Sequence, residues 1–272
     1  MAEGDGGILR LLDLDQIDDD AFLAPIPSGG PGRLFGGQVA GQSLRAACLT
    51  VDAERPPHSL HAYFILPGRP TEPLRLDVQR SRDGRSFTTR HVTASQAGKP
   101  IFELVASFHA AEDGPDWQLP GPVDLPQPES IDPPVLPDFL RMTLPFDFRM
   151  VAPPEPGQFP ITHPFWIRSR GALGDDPALH ACVITFLSDM GVVGSARAPG
   201  TPVPFSGASL DHAVWFHRPA RADEWLLFSV DPVTNFGARG LARGTLHTTE
   251  GVLVASVAQE ALLRPAGEQR SI

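Results

Sequence analysis

Apolar residues recur along the chain with two different periods. Leu74, Leu76 and Val78 alternate with Arg75, Asp77 and Gln79, the period of a strand with one covered face. The runs HSLHAYFIL, LRLDVQRS, SFTTRHVTASQ and PIFELVASFHA read as an antiparallel meander over residues 58–110. Its turns fall at Pro67-Gly68, Asp83-Gly84 and Gly98-Lys99-Pro100. Just before the meander, over 34–51, Val39, Leu44, Ala47, Cys48 and Val51 recur at helical spacing. That predicted helix is rich in Gly, Ala and Ser, which suits a helix enclosed closely by a sheet. Upstream, Leu11, Leu12, Leu14 and Ile17 suggest a short structured segment, followed by the Pro/Gly loop PIPSGGPGR.

The order then returns. FDFRMV and HPFWIRSRG alternate like strands, and GDDPALHACVITFLSDMG reads as a helix that is apolar almost all round and therefore buried. Asp176 suits its N-cap, Pro177 its first position and Gly191 its terminator. A Gly/Pro/Ser-rich loop follows, over 191–208, and then SLDHAVWFH, WLLFSVDPV, GLARGTLHTT and VLVASVAQEALLR as a second meander. The two meanders share more than order. Each opens on Ser-Leu and His-Ala (His61-Ala62, His212-Ala213) and runs through an aromatic pair (Tyr63-Phe64, Trp215-Phe216). Each has a Gly-rich turn closing on Arg (Arg90, Arg239) and ends on Leu-Val-Ala-Ser. A repeat of this length implies two similar halves. The expected organisation is one unit over 1–110, a Pro-rich connector over 111–160, and a second unit over 161–272.

Composition narrows the class. A chain of 272 residues, 42% hydrophobic, can bury one large core or two smaller ones. A net charge of −10 argues against a broad nucleic-acid or anionic-membrane surface. Nearly every positive charge is Arg, the side chain suited to bidentate phosphate contacts. Cys48 and Cys182 lie in apolar runs as small hydrophobes, and no Cys/His cluster has the spacing of a metal site. There is no signal-like start, no apolar run of membrane-spanning length and no peroxisomal tripeptide in EQRSI. The expectation is a soluble cytoplasmic protein with no nucleic-acid or membrane partner.

Two polar residues stand in unfavourable places. Asp189 falls in the last turn of an apolar helix, where the helix dipole disfavours a carboxylate. Gln259 shares a strand face with Leu253, Ala255 and Val257, so its amide needs partners. The repeat sets Ala110 at the equivalent position, an asymmetry that hints at a single active centre. A solvated Asp and a structural amide network are the plainer alternatives. Gly36 and Gly37, at the start of the first helix, offer backbone N–H groups for an oxyanion or phosphate. The pair Asp211-His212 suggests a hydratase dyad, although strand neighbours face opposite ways and packing fits His212 better.

The runs LFGGQ with VAGQSL, PHSLHAYFILPG, RDGRSF with TTR, LSD, SLDHAVWFHRP, DEWLLF, GARG, TEGVLVAS and AQE, in order from Leu34 to Arg264, resemble the acyl-CoA thioesterase II family of the bacterial TesB type. The resemblance implies an α+β double hotdog: two repeats of an antiparallel sheet wrapped around a long helix. It implies hydrolysis of acyl-CoA to fatty acid and coenzyme A by an activated water, with no cofactor, no metal and no covalent intermediate. Carried onto this chain, the family's acid falls on Asp189 in LSD, its hydroxyl on Ser209, where some members have Thr, and its amide on Gln259. Arg90, Arg218 and Arg239, with Gly36 and Gly37, are candidate contacts for the substrate's phosphates or oxyanion. Thr234, Asn235 and Phe236 stand where small residues are commoner, and that bulk would reshape the acyl tunnel. A hotdog enoyl-CoA hydratase and a catalytically weak acyl-CoA binder are the alternatives, and a homo-oligomer is expected.

Overall fold

The computed structural model describes residues 7–25, 32–122, 124–136, 144–152, 161–198 and 205–265. Parts of PIPSGGPGR and of the 191–208 loop lie outside them. A short helix, α1 (Gly7–Leu12), buries Ile8 and Leu12 and leads into the hairpin β1 (Asp15–Asp18) and β2 (Ala21–Ala24). The small-residue helix α2 spans Gly36–Cys48, and the first meander is β3 (Pro57–Phe64), β4 (Leu74–Asp83), β5 (Phe87–Gln96) and β6 (Lys99–His109). The β5–β6 turn centres on Ala97 and Gly98, both at positive φ. A tight primed turn of that kind matches strand twist, so Lys99 and Pro100 already belong to β6.

The second half is β7 (Phe146–Met150), β8 (Phe165–Ser169), α3 (Pro177–Leu187), a one-turn helix α4 (Val192–Ser195), β9 (Phe205–Ser209), β10 (Asp211–Phe216), β11 (Leu226–Phe236), β12 (Arg239–Thr248) and β13 (Leu253–Pro265). The Asp176 side chain caps α3 by accepting from Ala178 N, and Pro177 takes the first turn, as expected. The helix stops at Leu187, so Asp189 lies just past its end rather than in its last turn. β7 lies within the expected connector yet pairs with β8, Phe146 opposite Ser169. The second unit therefore begins before residue 161.

Among the described residues all strands join one thirteen-stranded sheet, in the order β1-β2-β4-β5-β6-β3-β10-β13-β12-β11-β8-β7, with β9 also on β13. The halves meet where β3 and β10 pair antiparallel, Leu60 opposite Val214. On the inner face α2 and α3 run antiparallel in contact. A Cβ on Gly37 would lie 2.2 Å from the Phe186 carbonyl oxygen, and one on Gly41 2.9 Å from that of Cys182. Only glycine allows this backbone approach. Each helix is wrapped by its own half of the sheet, and together they form a double hotdog.

The repeat is real, but its register differs from the one the motifs suggest. In the first half Ala62, Leu104 and Val92 stand side by side across β3, β6 and β5. In the second half Val214, Val257 and Gly244 do so across β10, β13 and β12. Two residues along, Ala106 beside Leu60 and Arg90 corresponds to Gln259 beside Ala242. Gln259 therefore answers to Ala106, not Ala110, and Arg90 to Ala242, not Arg239. His61 is exposed and stacks edge-on against Trp215, whereas His212 is fully buried. Matching the two His-Ala pairs slips one strand by a residue and inverts every side chain.

Candidate active site

Asp189 sits between the end of α3 and the start of α2. Phe35, the N-cap position of α2, has no capping side chain. The Asp189 carboxylate supplies the acceptor instead: Oδ2 takes the Gly37 N–H at 2.8 Å. The charge that is unfavourable at the end of α3 is favourable at the positive end of α2. Cβ atoms cannot fit in this cradle, since one on Gly36 would meet Asp189 Oδ2 at 2.8 Å and the Phe64 ring at 2.6 Å. Gly36 and Gly37 thus hold the acid, and the Gly37 N–H is engaged rather than free for an oxyanion. Asp189 is only 6% exposed. Burial raises its pKa from 3.8 to about 6, against the pull of the Gln259 amide, the Gly37 N–H and the Ser209 hydroxyl.

Ser209 and Gln259 reach the acid through a strand irregularity. Ser209 faces Ala261 across β9 and β13, whereas Ala213 faces Ala258 across β10 and β13, so the register slips by one residue between them. At the slip Leu210 N donates to the Glu260 carbonyl, and the Glu260 N–H goes to the Asp211 carboxylate at 2.6 Å. This bulge lets Ser209 and His212, three positions apart, turn to the same inner face. The Ser209 hydroxyl donates to Asp189 Oδ1 at 3.3 Å, and Gln259 Nε2 donates to Ser209 Oγ at 2.9 Å. Gln259 Oε1 lies 2.5 Å from His212 Nδ1, and His212 Nε2 lies 2.8 Å from the Ser188 hydroxyl. Gln259, His212 and Ser188 are fully buried, and Ser209 is the half-buried member.

The structure brings Asp189, Ser209 and Gln259 together as one cluster. It also adds His212, which the strand pattern alone leaves as packing, and Ser188 at the end of α3. The available signal was alternation with Val214, which puts a polar ring on an apolar face. Asp211 and His212 form no dyad, because Asp211 clamps the bulge while His212 turns inward.

The arginines are placed elsewhere. Arg90 is 1% exposed and its guanidinium is bonded to Thr50, Asp83 and the carbonyls of Arg82 and Thr89, so it is a buried strut with no N–H for a phosphate. Arg218 binds Asp116 and the Leu253 and Trp117 carbonyls, tying the connector to the sheet. Arg239 pairs with Glu260 at 2.9 Å on the surface. Asn235 binds the Ala196 carbonyl and the Ala198 N–H, and Phe236 is 84% exposed at a hairpin end, so its bulk points to solvent. Among the described residues no helix is long and apolar enough to cross a membrane.

One sheet wrapped on two antiparallel helices, with an acid–hydroxyl–amide cluster at the joint, defines a double-hotdog protein. The chain belongs to the acyl-CoA thioesterase family. The model of the acyl-CoA thioesterase N-terminal domain matches residues 24–109, and that of the C-terminal domain matches residues 111–263. The chain is 36% identical to human "Acyl-coenzyme A thioesterase 8" over 94% of its length and 88% of that protein's. It is 32% identical to "Acyl-CoA thioesterase 2" of Haemophilus influenzae, covering 94% of this chain and 96% of the relative. The structure of "Acyl-CoA thioesterase II TesB2" from Mycobacterium marinum superposes with a TM-score of 0.80 at 37% identity, covering 96% of this chain and all of that one.

Proposed function

We propose that this protein hydrolyses acyl-CoA thioesters, with Asp189 as general base and Ser209 and Gln259 orienting the attacking water. The observation that carries the reading is a buried carboxyl with its pKa raised to about 6, held 3.3 Å from the hydroxyl of Ser209. A base with that pKa is largely ionised at neutral pH and still basic enough to take a proton from water. Water's oxygen bonds the thioester carbonyl carbon while its proton passes to Asp189. The tetrahedral species then breaks its C–S bond, and the proton leaves with the thiolate. A thiolate needs little acid assistance, so one carboxyl suffices. The half-buried Ser209 places the water at the open end of the cluster.

The exposed strip Trp215, Tyr63 and Val105 on the outer face at the joint of the halves supports assembly with a second copy. The activity is tested by thiol release from acyl-CoA of graded chain length, comparing wild type with Asp189→Asn. The expected outcome is release by the wild type and a loss of about a hundredfold or more in the variant. Binding without thiol release by the wild type would refute the reading.

A further inference from the structure

The three residues of the proposed reaction do not end the buried polar chain, and its far end decides how it is oriented. A buried amide fills nearly the same space either way round, and its hydrogen-bond partners choose between them. Starting at the acid, an ionised Asp189 can only accept, so the Ser209 hydroxyl must aim its proton at Oδ1. Ser209 then offers only lone pairs to Gln259, which must present its NH2 group, at 2.9 Å. That turns Oε1 towards His212, 2.5 Å away, and requires the proton on Nδ1. A neutral ring protonated there has Nε2 as acceptor, met by the Ser188 hydroxyl at 2.8 Å. Ser188 also lies 2.9 Å from the Thr185 carbonyl, where its proton would go if the ring presented Nε2–H instead. With the amide reversed every link inverts: Ser209 donates to Gln259, and the carboxylate faces a lone pair.

We infer that His212 is a positioning residue whose Nδ1–H, fixed by the Ser188 hydroxyl, locks the Gln259 amide with its NH2 towards Ser209 and the water. This rests on the hydrolase reading above. His212 acts only through Gln259. Burial lowers its pKa to about 4, so the ring stays neutral across the working range. The first half lacks the device altogether: Leu60 and Ala106 occupy the corresponding places, beside Arg90.

Two substitutions and one spectroscopic measurement test this. In His212→Asn the side-chain NH2 falls near the Nδ1 position and can still donate to Gln259. In His212→Gln the polar group reaches the Nε2 position, towards Ser188, and the donor to Gln259 is gone. The expected result is a kcat reduced by less than about tenfold in the Asn variant and by about a hundredfold in the Gln variant, with KM little changed in both. Equal losses, or the reverse order, would overturn the inference, because a packing role follows size and stability rather than donor position. Long-range proton–nitrogen NMR on ring-labelled wild type should show His212 protonated at Nδ1; a ring protonated at Nε2 would overturn it outright. That measurement needs neither a variant nor turnover. It therefore decides the matter even if the variants fail to fold, or if the wild type releases no thiol and the hydrolase reading itself falls.

Discussion

On the proposed mechanism Asp189 would carry both activity and a stability cost, and pH separates them. Its pKa of about 6 means that the ionised, active form dominates only above that pH, so kcat/KM should rise through about pH 6 on the acid side. Stability moves the other way. A carboxyl raised from 3.8 binds its proton more tightly when folded. The associated stability is fully present below the unfolded pKa and is lost as pH rises through about 6, a swing of roughly 3 kcal/mol. Asp189→Asn has no such term, so urea unfolding should show it more stable than wild type at about pH 8, with the gap closing near pH 4. A variant less stable than wild type at both values would contradict this. Arg90 supplies a contrast at the same scale. Its buried guanidinium satisfies Thr50, Asp83 and two carbonyls. Arg90→Met should therefore lower unfolding stability by about 1–3 kcal/mol, the cost of buried carbonyls left without a donor, while the KM for acyl-CoA in the folded fraction stays the same. A raised KM without lost stability would restore Arg90 as a phosphate contact.

The contact between α2 and α3 depends on Gly37. Alanine there gains about 1 kcal/mol of helix propensity, but its Cβ would lie 2.2 Å from the Phe186 carbonyl oxygen and 2.6 Å from the Phe35 ring. The clash wins. Gly37→Ala should lose about 1–3 kcal/mol in denaturant unfolding and should also impair thiol release, because the helices must part where Asp189 is held. Gly41→Ala, whose Cβ would lie 2.9 Å from the Cys182 carbonyl oxygen, should be milder. Equal effects would mean that the approach is looser than the geometry implies. These elements show what a sequence can and cannot carry. Helix and strand periods are legible because burial imposes them locally, and Asp189 and Gln259 stand out as polar groups in apolar settings. The register between the halves is not legible, since His-Ala at 61 and at 212 look alike while facing opposite ways. Nor is the bulge at Leu210, which nothing in SLDH announces, although it turns Ser209 and His212 to one face. Ser209 came from resemblance alone, and the burial of Arg90 was not legible because Thr50, which its guanidinium bonds, lies forty residues away.

At the scale of the whole molecule the site belongs to neither half alone. Asp189, Ser209, Gln259 and His212 lie in the second half, but the N–H that holds the acid belongs to Gly37 in the first. The sheet is continuous through β3 and β10, and α2 and α3 pack against each other at Gly37 and Gly41. A second half expressed by itself would expose the apolar face of α3 and the unpaired edge of β10, a surface prone to aggregation. It would also take the Gly37 N–H from Asp189, leaving the acid only its donors from the second half. Fragments 1–110 and 111–272 should therefore each release no thiol from acyl-CoA, while co-expression of the two should restore release if they reassemble through β3 and β10. A second-half fragment that folds alone and turns over acyl-CoA would show that the cap from Gly37 is dispensable. The first repeat places its helix against the acid, while its own sheet holds Leu60, Ala106 and Arg90 where the second holds a polar chain.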